Sequence, residues 1–125
     1  MSDVKYTRDH EWILMEDDEI GVVGITDYAQ EQLGELVFVE LPEVDKEIDA
    51  GSDAVVIESV KAAGEVKAPV SGTIVEVNET LADEPEKVNS DPMGGGWFIK
   101  MRVNDPGELD ALMDEDEYKE YTEEL

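Results

Sequence analysis

The chain has 125 residues, 41% of them hydrophobic, and a formal net charge of −25 from 34 acidic against nine basic side chains. The length suggests one domain, residues 1–125, with a core large enough to fold unaided. The absence of cysteine excludes disulfides and any thiolate nucleophile or metal ligand of its own, and the charge makes nucleic acid and anionic membranes poor partners, because their binders neutralise phosphate with Lys and Arg. The acids are dispersed (Glu16 to Glu19, Asp83 to Glu86, Asp114 to Glu117) instead of forming one block. Dispersed acid with little lysine is the pattern of a surface adapted to high salt, where self-repulsion is screened; a polyacid that docks basic partners is the rival reading.

The elements follow in chain order. The start, Met1-Ser2-Asp3-Val4-Lys5, lacks the basic and then apolar segments of a secretory signal, and no apolar run reaches membrane-spanning length; the expectation is a soluble, cytoplasmic protein. Glu11 to Glu16 predicts a strand, Asp17-Asp18 a turn, and Ile20 to Ile25 the returning strand. Thr26 is a suitable N-cap for a short helix over Asp27 to Leu33, with Asp27 at its positive end and Gly34 as its stop. Leu36 to Leu41 predicts a strand closed by Pro42, and Asp45 to Gly51 a polar turn region with one apolar anchor, Ile48. Val55-Val56-Ile57 predicts a buried β run, Gly64 a turn, and Val66 to Val70 the return. Thr73 to Val77 alternates as a strand. Thr80 to Val88 predicts an irregular acidic stretch, Asn89 to Gly96 a loop, and Trp97 to Val103 the last strand.

Asp105-Pro106-Gly107-Glu108 is a helix start, and a second acidic helix is expected over about Glu115 to Glu124. Leu109, Leu112, Met113, Tyr118 and Tyr121 are expected to pack these helices onto the domain. The fold class expected is mainly β: a β core over about 6–103, a flattened barrel or sandwich with one short internal helix, and a C-terminal helical segment over about 105–125.

The inventory of reactive side chains is short. A serine triad would have to use His10, the one histidine, and no nucleophile motif accompanies it. Zinc lacks nitrogen and sulfur ligands, no acidic run has EF-hand spacing, and Gly94-Gly95-Gly96 lacks the Lys-Ser/Thr of a phosphate loop. No catalytic residue and no metal site are therefore expected; a carrier whose cofactor supplies the chemistry suits this poverty. Lys61 stands out instead. It follows a β run at a strand–turn–strand pattern in a chain with few lysines, and an ε-amine on a long flexible stem at such a tip suits acylation by another enzyme.

The motifs His10-Glu11-Trp12, Gly24-Ile25-Thr26-Asp27-Tyr28-Ala29-Gln30, Leu33-Gly34-Glu35, Val37-Phe38-Val39-Glu40-Leu41-Pro42, Glu58-Ser59-Val60-Lys61-Ala62, Pro69-Val70-Ser71-Gly72, Val75-Glu76-Val77-Asn78, Asn89, Asp91-Pro92 and Gly96-Trp97 stand in one order over about Tyr6 to Tyr121. In this the chain resembles the H-protein family of the glycine cleavage system. Biotin carriers carry methionines on both sides of their lysine, where Val60 and Ala62 stand here. The resemblance implies a lipoyl-domain-like barrel-sandwich fold and lipoate in amide linkage on Lys61. It also implies a shuttle. Glycine decarboxylase (P protein) transfers the aminomethyl group of glycine to the arm, aminomethyltransferase (T protein) takes the one-carbon unit and frees ammonia, and dihydrolipoamide dehydrogenase (L protein) reoxidises the dithiol. A lipoate-attaching enzyme is the fourth partner.

By match to the family's motif, Glu11 would hold the charged amine of the loaded arm, Ile25 and Leu33 would line its cleft, and Glu65 stands near an acidic position of the family. Plain core for Ile25 and Leu33, and a solvated strand-end acid for Glu11, are the readings to set against these. Glu58 is expected as a contact for the lipoate-attaching enzyme and Gly64 as the residue that permits the turn. Gly64-Glu65 departs from the Ser-Asp of many relatives, and the excess acid suggests a halophilic source. Two alternatives remain at this point: an H-like protein relaying lipoyl groups to 2-oxoacid dehydrogenases, and an unmodified acidic interaction module.

Overall fold

A computed structural model describes residues 4–17 and 19–124. Met1 to Asp3, Asp18 and Leu125 lie outside the described residues, and with them half of the expected Asp17-Asp18 turn. Nine strands are described: β1 Val4–Tyr6, β2 Glu11–Met15, β3 Ile20–Ile25, β4 Leu36–Glu40, β5 Glu47–Ile48, β6 Asp53–Ser59, β7 Ala63–Lys67, β8 Gly72–Val77 and β9 Ile99–Val103. The helices are α1 Asp27–Leu33, α2 Thr80–Asp83, α3 Lys87–Ser90 and α4 Glu115–Glu123, with a 3₁₀ stretch at Pro106–Ala111.

The strands form two antiparallel sheets, one in the order β1-β2-β3-β9-β8-β5 and one in the order β4-β6-β7. Neither closes on itself, so the architecture is a β sandwich and not a closed barrel. One core joins the sheets: Ile13, Val23, Ile74, Ile99 and Met101 from the first meet Leu36, Val39, Val55, Ile57 and Val66 from the second. Burying such aliphatic faces against each other is the main stabilising term of a two-layer fold.

Local chemistry explains where the elements begin and end. The Thr26 hydroxyl accepts from the Ala29 N–H at 3.2 Å and starts α1. Gly34 ends it at φ 82°, ψ −166°, a combination that essentially only glycine adopts. At α4, Asp114 and Glu117 form a reciprocal capping box. Trp12 is buried, and its indole N–H is shared between the carbonyls of Ile25 (2.9 Å) and Pro92 (3.0 Å). A Cβ on Gly24 would stand 2.7 Å from that indole, so the glycine is the space the ring occupies.

Several expectations change. Val56 is exposed between buried Val55 and Ile57, because β6 has a core face and an outer face. Ile48 lies in a short strand pairing with β8 and is no mere turn anchor. Thr80 to Val88, expected irregular, contains α2 and begins α3; each seats one buried side chain, Leu81 and Val88, a signal too short for periodicity to show. The last strand begins at Ile99, since the Trp97 N–H bonds to Gly94 in the glycine turn. The expected helix after Asp105 is a 3₁₀ stretch, which Asp105 still caps.

Candidate functional site

Lys61 sits in the connection between β6 and β7. The turn is built by Ser59: its N–H donates to the Ala62 carbonyl at 2.7 Å, and its hydroxyl accepts from the N–H groups of Lys61 (3.2 Å) and Ala62 (3.0 Å). Such serine turns satisfy the backbone within the loop. One long-range bond holds the tip: the Val60 N–H donates to the Glu35 carbonyl at 3.0 Å. The segment around Glu35 is in turn held by Asn89. Its amide oxygen accepts from the Leu36 N–H (2.8 Å), and its NH₂ donates to the Gly34 carbonyl (2.8 Å) and the Gln30 side-chain oxygen (3.0 Å).

The stem of Lys61 lies over Gly34: a Cβ there would come 3.1 Å from the lysine Cε and 3.3 Å from Cδ. The lysine is exposed. In a chain of 34 acids it makes no ion pair among the described residues, so its amine is open to reaction. Val60, beside it, is 64% exposed.

A cleft of about 460 Å³ opens next to the tip. The β1–β2 turn running into the first residue of β2 gives it Asp9, His10 and Glu11, and β3 gives Ile25. One face of α1 gives Tyr28, Ala29, Gln32 and Leu33, the β6–β7 hairpin gives Ile57, Gly64, Glu65 and Val66, and α4 gives Tyr121. Five of the seven expected residues thus meet around one cavity: Glu11, Ile25, Leu33, Gly64 and Glu65. Lys61 stands at the tip, and Glu58 is exposed on β6, its backbone paired with Phe38 and Ala63. Gly64 does not make the turn. It lies within β7 opposite Ile57, with no atom within 4 Å of where its Cβ would be, and its missing side chain leaves the cleft wall open.

Glu11 is 3% exposed. One carboxylate oxygen accepts from the Thr7 hydroxyl at 2.9 Å and the other from the Lys67 N–H at 3.0 Å. Burial pushes its pKa up to about 7, against the lowering effect of those two hydrogen bonds. A buried carboxylate in a cleft with apolar walls at Ile25, Leu33, Ile57 and Val66, half-ionised near neutral pH, is poised to gain from a cation brought beside it.

Sequence reasoning did not place Asp9, His10, Tyr28, Ala29, Gln32, Ile57, Val66 or Tyr121 in the cleft, and three of these carry aromatic rings. His10, expected to be structural, has φ 68° and bonds through Nδ1 to the Tyr118 hydroxyl at 2.8 Å. Its ring packs 4.5 Å from that of Tyr28 and 5.8 Å from that of Tyr121. Burial lowers the His10 pKa, against the raising effect of Asp9, which favours the neutral imidazole. The face shared by Tyr28, Ala29, Gln32 and Leu33 was readable as positions one and four apart on a short helix. Nothing local signalled Tyr121.

Residues 4–125 match the family model described as glycine cleavage H-protein. The chain belongs to the glycine cleavage H-protein family. It is 56% identical to the glycine cleavage system H protein of Rhodospirillum rubrum over 125 residues, covering 100% of this chain and 99% of that one. It is 58% identical to that of Parvibaculum lavamentivorans over the same shares, and 56% identical to that of Thermotoga maritima over 117 residues, 94% of each chain. Among solved structures, an H protein from Mycobacterium marinum superposes with a TM-score of 0.88 at 38% identity, covering 100% of this chain and 99% of that chain.

H proteins of this family carry lipoate covalently on a lysine, and the residues here fit such a group. An exposed, unpaired amine stands beside a cleft whose walls are apolar at Ile25, Leu33, Ile57 and Val66 and acidic at Glu11 and Glu65. That combination matches an apolar arm ending in a charged amine. Among the described residues no group of acids and histidine could hold a metal ion, and no helix is long and apolar enough to cross a membrane.

Proposed function

We propose that this chain is the lipoyl carrier of the glycine cleavage system, a single cytoplasmic domain without catalysis of its own, and that Lys61 is the residue that takes lipoate. The observation that supports it best is the exposed Lys61 amine, without an ion pair among the described residues of a chain of net charge −25, in the hairpin that also lines a cleft holding a buried carboxylate. Lipoate, once attached, supplies the sulfurs that accept the aminomethyl group at the P protein, yield it at the T protein and pass electrons to the L protein.

The chain's own residues bind, orient and shelter. Ser59 and the Val60–Glu35 bond fix the tip, so the amine projects from a defined point. Gly34 lets the stem lie flat against the end of α1, whose Leu33 begins the cleft wall. Ile25, Leu33, Ile57 and Val66 exclude water along the arm, which protects a hydrolysable cargo. Glu11 holds the ammonium, and Glu65, at the rim, adds charge of the same sign. A cation beside Glu11 favours its ionised form, so seating the arm releases a proton below about pH 7 and tightens as pH rises towards that value.

Glu58, exposed three residues before the lysine, is a contact for the lipoate-attaching enzyme. Dispersed acid on this scale suits a halophilic source: the melting temperature rises from low salt to molar KCl, and an unchanged melting temperature contradicts salt adaptation.

The functional test compares lipoylated wild type with Lys61→Arg in glycine–bicarbonate exchange with P protein. The reading expects loss of exchange in the variant with an unchanged fold by circular dichroism. Exchange at the wild-type rate in Lys61→Arg overturns it.

A further inference from the structure

The cleft has two jaws, joined at their base by the β2–β3 ladder, in which Glu11 pairs with Ile25. One is the β1–β2 turn with the first residue of β2, which together present His10 and Glu11; the other is α1, capped by Thr26. The Tyr118 hydroxyl, on α4, stands between them, 2.8 Å from His10 Nδ1 and 2.7 Å from Thr26 Oγ1. Thr26 is at the same time the cap of α1, accepting from the Ala29 N–H. The Thr26 N–H bonds to the His10 carbonyl at 2.9 Å, closing a ring of contacts between the jaws and the tyrosine. His10 holds φ 68°, a conformation a side-chain-bearing residue keeps only when its surroundings over-determine it. Tyr118 itself is fixed by stacking on Tyr6, 4.5 Å between centroids and 13° between planes.

From this geometry we infer that Tyr118 is a positioning residue of the arm cleft: its hydroxyl ties the His10 side chain to the cap of α1 above the β2–β3 ladder, and so sets the fit of the arm's charged end against Glu11. The inference rests on the arm-sheltering reading of the cleft. It makes the C-terminal helix part of the carrier's working site although Tyr118 itself does not line the cavity. A helix serving packing alone would need the ring on Tyr6 and no hydroxyl shared by both jaws.

The test uses the full-length lipoylated chain, loaded by P protein with glycine and then separated from it. Release of ammonia is followed without T protein, and the methyl NMR signals of Ile25 and Leu33 are compared before and after loading. Tyr118→Phe keeps the stacked ring and removes the hydroxyl. Losing one bridging hydroxyl of this kind is expected to speed release roughly three- to tenfold and to shrink the loading-induced methyl shifts. Attachment of lipoate to Lys61 should be untouched. His10→Asn, which tolerates positive φ, removes the other end of the bridge, so the double variant should release no faster than the quicker single variant.

A Tyr118→Phe protein with wild-type release and wild-type methyl shifts overturns the inference, as do fully additive effects in the double variant. The two readings fail separately. If loaded wild type releases ammonia as fast as the urea-unfolded loaded chain, the sheltering cleft is wrong. If wild type shelters its cargo and Tyr118→Phe shelters it equally, the role of Tyr118 alone is wrong.

Discussion

At the Lys61 tip every hydrogen bond described for the turn but one runs within Ser59 to Ala62, the exception being the Val60–Glu35 bond. The neighbouring cleft draws its walls from five segments spread between Asp9 and Tyr121. The tip is a local object, exposed and polar, whose task is to offer an amine to an enzyme. The cleft is a tertiary object with a buried charge, whose task is to shelter what the amine later carries. A local loop costs little stability and is recognised by shape. A cleft with Glu11 at 3% exposure stores a desolvation cost that a bound cation relieves.

The largest expected effect is in the cleft. The folded pKa of Glu11, about 7, lies above its ordinary value of 4.5, so the folded state holds a proton that the unfolded chain has lost. Stability from this group is present below about pH 4.5 and is lost as pH rises to about 7, a change of about 3 kcal/mol. Glu11→Gln should remove that slope, so the stability change between about pH 4.5 and pH 8 should differ between the two proteins by about 3 kcal/mol in denaturant titrations. Parallel pH profiles would remove the buried charge from the account. Lipoylation of Lys61 should be unaffected, which is where cleft and tip separate.

The next effect concerns the joint between the two regions. Asn89→Ala removes all three hydrogen bonds that hold Gln30, Gly34 and Leu36. It should cost roughly 2–3 kcal/mol and speed amide exchange at Val60, whose acceptor is Glu35. Unchanged exchange at Val60 would mean that the tip does not depend on α3. The smallest effect belongs to the tip. Ser59→Ala should cost about 1 kcal/mol and raise the KM for the lipoate-attaching enzyme while leaving the Glu11 pH slope intact. A lost slope in Ser59→Ala would show that tip and cleft are one unit.

This division also explains what could be read from the residues in order. Thr26, Asp27 and Gly34 bound α1 as expected because capping is local chemistry. The hairpin around Lys61 was equally plain, although the turn expected at Gly64 is made by Ser59: a glycine is the usual turn signal, and a serine turn leaves a weaker one. In the cleft, Glu11, Ile25, Leu33 and Glu65 came from resemblance to a family and not from any spacing. His10 and Tyr121 are 111 residues apart and meet only because α4 returns to the β1–β2 turn, where the Tyr121 hydroxyl bonds to the Arg8 carbonyl at 3.2 Å. A one-dimensional pattern carries no record of such a return. The short strand at Ile48 and the single-turn helices at Leu81 and Val88 escaped for a related reason, since each is defined by the one side chain it buries.

The most direct test of the central claim is the intact mass of the protein from its native cells, followed by peptide fragmentation to place any adduct. The account predicts a lipoyl group on Lys61. Native protein with Lys61 unmodified would contradict it and leave the cleft without the arm it is proposed to hold.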